Sequence, residues 1–305
     1  MSENEVFVIL NPQAGKGKAR RQEAAIRAAF GADMTMVVTE EPGGADALAY
    51  RATIDGWPIV VAAGGDGTVN ETVNGIFRAA EGGAAKPKLG IIPVGRGNDF
   101  AWALKIPRSI EEAVAAIKAG PQRTIDVGLM QGGDFPEGRW FINGLGVGFE
   151  PLVNFAASSF KRISGVPSYV LALIKVMINY PRPYDLEIIL DGVSSFAKSQ
   201  QLSVCNGRRM GSAFIMAPDS LVDDGLFDVV YANVPIAPYR FLPIAVKFFK
   251  GNQVKLKEFT AVRAKEVVLR SRDNPMPVHI DGEEVSRGCM EVSMQLHAAS
   301  IVIFA

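Results

Sequence analysis

Cysteine and histidine are scarce in this sequence, with two of each in 305 residues. Cys205 and Cys289 cannot form a disulfide framework, and neither sits at metal-ligand spacing, so a stapled secreted domain and a zinc module are excluded. Both read as buried, reduced thiols. No apolar run reaches the roughly 18 residues needed to span a bilayer. The start, Met1-Ser2-Glu3-Asn4-Glu5, is acidic and lacks the apolar core of a signal peptide, so a cytoplasmic protein is expected. Net charge is lacking too: 32 basic residues balance 32 acidic ones, which argues against bulk electrostatic binding and predicts no nucleic-acid partner. Internal repeats, low-complexity tracts and a long linker are also missing, which favours a fixed cleft over tethered modules. What is present is a chain 48% hydrophobic and longer than one core usually supports, so two domains are expected.

The most informative stretch is Val60-Val61-Ala62-Ala63-Gly64-Gly65-Asp66-Gly67-Thr68-Val69-Asn70-Glu71. An apolar run reads as a buried strand, breaks at Gly64-Gly65, and gives way to a helix opening at Thr68. Val69, Val73, Ile76, Phe77 and Ala80 share one face of that helix at a period near 3.6. The glycines allow positive φ and close backbone approach, and Thr68 suits an N-cap. A turn of this kind aims free N–H groups and the positive end of a helix dipole at one point, which suits a phosphate. Asp66 inside the cradle implies a cation or a reacting group to orient. The plainer alternative is a tight turn whose glycines serve packing alone.

Two further turns follow apolar strands. Residues 5–10 lead into Asn11-Pro12-Gln13-Ala14-Gly15-Lys16-Gly17, then a helix from about Ala19 to Phe30. The Gly-x-x-x-x-Gly-Lys-Ser/Thr spacing of a Walker A loop is missing, so Lys16 and Lys18 read equally as phosphate ligands or solvated side chains. Strands at Met34–Val38 and Leu89–Ile92 flank a helix at Ala45–Ile54. The last of these strands ends at Pro93-Val94-Gly95-Arg96-Gly97-Asn98-Asp99-Phe100, and Ser109 with Glu112 forms a capping box for a helix ending near Gly120. Alternating strands and helices predict an α/β N-terminal domain with a doubly wound parallel sheet over residues 1–122. All three turns fall at strand carboxyl ends, where such sheets bind ligands.

From Arg123 the rhythm changes. Extended segments at 123–130, 139–143, 184–190, 198–205, 226–232, 262–270, 277–281, 289–296 and 300–304 predict a β-rich sandwich domain over 123–296, with the last strand, about 297–305, returning to the first domain. Asp191-Gly192 is a hairpin signal. Helical insertions are expected at about Pro167–Asn179 and Pro238–Lys250. Two acidic turns stand out. Leu221-Val222-Asp223-Asp224-Gly225-Leu226-Phe227-Asp228 is ordinary turn chemistry or a hard-cation site. His279-Ile280-Asp281-Gly282-Glu283-Glu284 is an exposed hairpin end or a carboxylate placed to take a hydroxyl proton. His279 reads as structural.

Together these residues resemble the diacylglycerol kinase catalytic domain family, the bacterial soluble lipid kinases related to diacylglycerol and sphingosine kinases. The motifs that carry the match, in the family's order, are Asn11-Pro12-x-x-Gly15, Gly64-Gly65-Asp66-Gly67-Thr68-x-Asn70-Glu71, Pro93-x-Gly95-x-x-Asn98-Asp99-Phe100, and the turns Asp223-Asp224-Gly225 and Asp281-Gly282-Glu283. Gly-Gly-Asp-Gly alone is shared with NAD kinases and 6-phosphofructokinases. The resemblance implies nucleotide contacts at Asn11, Pro12, Gln13, Ala14, Gly15, Thr39, Gly65, Asp66, Gly67, Thr68, Val69, Asn70, Glu71, Arg96 and Asp99. It implies a supporting magnesium on Asp224 and the main-chain oxygens of Leu221 and Leu226, and a general base at Glu283. One departure is Arg96, where relatives often carry threonine; the arginine can clamp a phosphate or salt-bridge Asp99.

The implied activity is ATP-dependent phosphorylation of a lipid hydroxyl of diacylglycerol type. Asp66 would orient a catalytic Mg²⁺ or the phosphate chain, and Glu283 would accept the hydroxyl proton across the cleft. The rivals are a soluble-substrate kinase of the NAD kinase type and a nucleotide-binding regulator that has lost transfer. A lipid acceptor implies transient, peripheral contact with the inner membrane, and the helices near 167–178 and 238–250 either make it or pack internally. The acceptor itself leaves no motif, and a homodimer is left open.

Overall fold

A computed structural model of the chain describes residues 5–32, 34–160 and 166–305. The acidic start at Met1–Asn4 lies outside them. The chain divides into two compact units, Met1–Ile125 with Ala299–Ala305, and Asp126–Ala298.

In the first unit β1 (Val6–Leu10), α1 (Ala14–Phe30), β2 (Met34–Val38), α2 (Gly44–Ile54), β3 (Ile59–Gly64), α3 (Asp66–Glu81), β4 (Lys88–Pro93), α4 (Asp99–Ala103) and α5 (Ile110–Ala119) alternate as expected. The strands pair in parallel in the order β2-β1-β3-β4, with Val6 opposite both Met34 and Ile59 and Val60 opposite Leu89. Ile303, near the chain's end, adds to Leu89 in parallel, so the returning strand exists. Val6, Val8, Leu10, Val61 and Ala63 pack on Ala19, Ile26 and Phe30 of α1 and Val114 and Ile117 of α5. The alternate residues Phe7, Ile9, Val60 and Ala62 are buried as well. Burial on both sides of the pleat is why these strands read as unbroken apolar runs.

Three local details differ from expectation. Helix α3 opens at Asp66 with Gly65 as an uncapped N-cap, because the Thr68 hydroxyl is held by Asn11 instead. The segment Ala14–Gly17 coils before α1 settles, with Gly15, Lys16 and Gly17 all at positive φ (62°, 62° and 79°). Helix α4, only five residues long, has no periodic signature in the sequence. The Ser109 cap is present: its hydroxyl accepts from the Glu112 N–H at 3.2 Å.

The second unit is a β-sandwich with helical insertions. After β5 (Gln122–Gly132), its elements are β6 (Phe135–Phe141), β7 (Gly144–Gly148), α6 (Phe149–Ser158), α7 (Val166–Ile178), β8 (Tyr184–Leu190), β9 (Val193–Ser199), β10 (Gln201–Cys205), β11 (Arg209–Met210) and β12 (Phe214–Ile215). These are followed by β13 (Phe227–Ala232), α8 (Pro238–Phe248), β14 (Phe259–Ala264), β15 (Glu266–Ser271), β16 (Met276–Ile280), β17 (Glu283–Cys289) and β18 (Glu291–Phe304). One antiparallel sheet runs β14-β13-β10-β7-β16-β17, and facing it are β9, β8, β15 and the first half of β18. Leu145, Leu202, Val229 and Ile280 from one sheet meet Leu186, Ile188, Leu269 and Val292 from the other in a common core.

Segments 198–205 and 262–270 each prove to be two strands, turning between the sheets at Gln200 and Lys265. A strand that changes sheets keeps its apolar pattern and needs no turn residues, so the sequence does not mark the break. The converse holds at 289–304: Ala299 at φ 48° kinks β18 without ending it. Strands β7 and β17 and helix α6 were not anticipated. The Asp191-Gly192 hairpin is present, with both residues at positive φ (48° and 82°) and Leu190 opposite Val193.

Candidate active site

With the order β2-β1-β3-β4, the chain leaves β1 toward one edge and returns on the other side, so the crevice between the carboxyl ends of β1 and β3 is the topological switch point. The sequence places its two Gly-rich turns there. Asn11 stitches them together: its N–H donates to the Ala63 carbonyl at 3.0 Å, its Nδ2 to Thr68 Oγ1 at 3.0 Å, and its Oδ1 accepts from the Gln13 N–H at 3.0 Å. Pro12, Gln13 and Ala14 therefore follow a fixed turn. Gly15 is required because a Cβ there would lie 2.8 Å from the Val94 carbonyl oxygen, which brings the first loop against the third.

The glycines at 64 and 65 serve the close backbone approach expected of them, while neither adopts the positive φ that was also expected. Gly65 sits at φ −99°, and a Cβ on Gly64 would fall 2.3 Å from Thr68 Oγ1. Gly95 is as tight and against backbone, since its Cβ would lie 2.3 Å from the Gly65 Cα. Two backbones at such contact expose their peptide groups to the same small space, as anion-binding nests do. Asn98, in the left-handed region at φ 49°, shapes the third turn: its Oδ1 accepts from the Gly95 N–H at 3.1 Å, and its Nδ2 donates to the carbonyls of Pro93 and Gly95 at 3.2 Å.

Asp66 stands between the second and third turns, with Oδ1 accepting from the Phe100 N–H at 3.1 Å. The Asp66 carboxylate is thus registered to the Asn98-Asp99-Phe100 turn. Asp99 is buried in that turn. Thr39, also buried, is held through its N–H to the Leu10 carbonyl at 2.9 Å. Gly67 and Thr68 form the first turn of α3, where Thr68, Val69 and Asn70 are buried. The Glu71 carboxylate accepts from the N–H groups of Gly43 and Ala45 at 3.2 Å, capping α2 beside the site. Arg96 is exposed, and among the described residues it forms no ion pair with Asp99.

In the second unit, Asp281 and Gly282 (φ 49° and 86°) form the two-residue turn of the β16–β17 hairpin. The Asp281 carboxylate is buried and accepts three main-chain hydrogen bonds, from Ile142 at 3.0 Å and from Asn143 and Gly144 at 2.9 Å. Asn154 of α6 donates to the Gly282 carbonyl. The hairpin is therefore fixed, and it presents Glu283, whose Oε2 lies 2.8 Å from Arg139 and whose side chain is 36% exposed. His279 is buried with Nε2 3.2 Å from Glu150 Oε1, and Glu150 also accepts from the Ser203 hydroxyl at 2.7 Å. Sequence reasoning expected a structural His279 but missed Glu150 and Ser203, which carry no local motif.

At the other acidic turn, Asp224 Oδ1 accepts from the Leu226 N–H at 3.2 Å, and Asp126 accepts from the Gly225 N–H at 2.7 Å. Arg263 lies 3.5 Å from Asp224 and 3.2 Å from Asp228. Burial pushes the Asp228 carboxyl above the usual range, with Arg263 opposing. Among the described residues no three His, Cys, Asp or Glu side chains gather as a metal cluster. Asp224 Oδ2, buried and accepting no hydrogen bond, faces Arg263 Nη1 at 3.5 Å, so a hard cation held by this carboxylate and turn carbonyls would share it with the guanidinium.

Fold and site define an α/β unit whose Gly-rich turns converge at its switch point, joined in sequence to a β-sandwich unit. The diacylglycerol kinase catalytic domain profile matches residues 5–130, and the YegS C-terminal NAD kinase beta sandwich-like domain profile matches residues 144–303. The chain is 30% identical over 284 residues to a diacylglycerol kinase of Bacillus subtilis (strain 168), covering 90% of this chain and 88% of the relative. It is 33% identical over 281 residues to a diacylglycerol kinase of Staphylococcus aureus (strain bovine RF122 / ET3-1), covering 90% and 85%. A crystal structure of a diacylglycerol kinase from Bacillus anthracis str. Sterne superimposes with a TM-score of 0.72 at 22% identity over 100% of this chain and 97% of that one, which shows the shared fold. The chain belongs to the diacylglycerol kinase catalytic domain family and is a kinase.

Proposed function

We propose that this kinase transfers the γ-phosphoryl group of ATP to a hydroxyl of a lipid of diacylglycerol type. The observation that carries the reading is the meeting of the three Gly-rich turns at the switch point, with Asp66 among them. Phosphoryl transfer asks the protein chiefly for positioning and charge neutralisation. The main-chain amides of Gly65–Thr68 and the third turn would bind the triphosphate, with Asn11 keeping the turns in register. Asp66 would orient the phosphate chain or its cation.

In the reaction the bond from the γ-phosphorus to the ADP oxygen breaks, and one to the lipid oxygen forms. The hydroxyl proton passes to Glu283, which Arg139 holds in place. A magnesium ion bound by Asp224 with the carbonyls of Leu221 and Leu226 would supply positive charge that steadies the acidic turn. Among the described residues no helix is long and apolar enough to cross a membrane, so the acceptor would be reached by transient contact with a bilayer surface.

Incubation with radiolabelled ATP and, in parallel, diacylglycerol, other lipid alcohols and NAD tests this. Label in a lipid, abolished in Glu283→Gln while ATP still binds, is the expected result. Label in NAD alone establishes the soluble-substrate rival, and transfer to nothing, with ATP bound, leaves the regulator.

A further inference from the structure

Half of the exposed large apolar side chains among the described residues lie in the second unit on α7 and on α8 with its C-cap Phe249. On α7, Val170, Ile174 and Ile178 recur every fourth residue at 48%, 54% and 77% exposure; on α8, Leu242, Val246 and Phe249 form a matching stripe at 63%, 58% and 46%. Each is a single helix face at helical spacing. These faces are not needed to hold the helices down. The opposite faces do that, with Ala172 and Val176 of α7 sharing a core with Phe149, Tyr180 and Phe241. Phe241 of α8 packs against Phe149 in a tilted pair with ring centroids 4.2 Å apart, and the Tyr180 hydroxyl donates to the Ile236 carbonyl at 2.8 Å.

Charge singles out the same segments. No aspartate or glutamate occurs from Pro151 to Tyr184 or from Val229 to Lys257, although acidic and basic residues balance over the whole chain. These stretches carry only basic side chains, among them the exposed Lys175, Lys247 and Lys250 on or beside the two apolar stripes. An apolar stripe bordered by lysines complements one surface in particular, an anionic lipid bilayer, whose acyl boundary takes the apolar residues and whose headgroups take the ammonium groups. A second copy of the chain fits less well, because a symmetric contact sets each basic border against its own like charge.

We infer that the outward faces of α7 and α8 form a docking surface for an anionic bilayer. The inference deepens the lipid-kinase reading and rests on it for its purpose, but the binding itself requires neither ATP nor turnover. Co-sedimentation of the full chain with vesicles of phosphatidylcholine, with and without phosphatidylglycerol, tests it. Binding should need phosphatidylglycerol and weaken with added salt. Ile178→Asp with Leu242→Asp should weaken it about ten-fold or more, since the polar groups would have to enter the apolar boundary. Lys247→Glu with Lys250→Glu should weaken it on phosphatidylglycerol vesicles. All four positions are exposed, so the melting temperature should hold, and the lysine pair supplies a second reading should the apolar pair misfold. Unchanged binding in both variants, no binding by the parent chain, or a dimer that Ile178→Asp with Leu242→Asp converts to monomer each overturns the inference. Vesicle binding without phosphorylation of any lipid keeps it and sinks the kinase reading alone.

Discussion

Gly95→Ala is the sharpest perturbation of the cradle. The new methyl carbon would sit 2.3 Å from the Gly65 Cα, 2.6 Å from Asn98 Oδ1 and 2.9 Å from the Gly65 nitrogen. Non-bonded carbons settle at about 3.5–4.0 Å, so the second and third turns must part by roughly 1 Å or more. Asn98 Oδ1 is the end of a side chain, but the two Gly65 atoms are backbone and cannot swing aside. Overpacking of this kind costs about 1–3 kcal/mol of stability, and a misplacement of about 1 Å in a catalytic constellation costs on the order of 100-fold in rate. Calorimetric titration with ATP and the kcat/KM of phosphoryl transfer report the two effects. Gly56→Ala is the comparator: Gly56 is also constrained, at φ +79°, but no neighbour lies within 4 Å of its missing Cβ. It should cost about 1–2 kcal/mol through the left-handed backbone and leave ATP affinity alone. Should Gly95→Ala bind ATP and turn over as Gly56→Ala does, close contact between these turns has nothing to do with phosphate binding.

Asp281→Asn isolates the role of a charge, because asparagine accepts the same left-handed backbone while setting an NH₂ against one of the three N–H donors. The unmatched donor and lost charge should lower stability by about 3 kcal/mol in urea titration, and a neutral result would show that the Ile142–Gly144 amides do not depend on the carboxylate. Burial and the nearby Asp134 push the Cys289 thiol from 9.0 up to about 11. The folded state therefore keeps a proton that the unfolded chain loses, so stability is intact below about pH 9 and falls as pH rises toward about 11. Cys289→Ala should flatten part of that fall in a melting-temperature series, and an unchanged slope would contradict the assignment. Thiol-alkylating reagent at pH 8 should label both cysteines slowly in the native chain and quickly in urea, since Cys205 is fully buried and burial pushes its thiol well above the usual value.

The first unit was largely legible because each parallel strand is buried on both faces and each turn is marked by glycine. The order of the three Gly-rich turns predicted their meeting place before any pairing was known. Of the two reasons expected for the glycines, close approach applies and positive φ does not: Gly64 and Gly95 supply the absence of a Cβ at a close contact, and only tertiary structure shows which neighbour demands it. Thr68 was misjudged for the same reason, since its partner Asn11 lies 57 positions away. In the second unit, strands that pass from one sheet to the other at Gln200 and Lys265 read as single strands. The two-residue hairpin at Asp191-Gly192 was visible because its φ demands are local. Asp281 was noticed for its turn, yet its carboxylate's hold on residues 142–144 could not be seen from either segment alone. Glu150 was missed because its partners His279 and Ser203 come from separate strands.

The account turns on main-chain amides at Gly65–Thr68 and in the turn after Gly95 receiving the phosphates of ATP. Hydrogen–deuterium exchange of those segments, measured with ATP and with adenosine, tests this directly. Protection of both turns by ATP, and of neither by adenosine, is the predicted result. Equal protection by the two ligands, or protection confined to other parts of the chain, would contradict it.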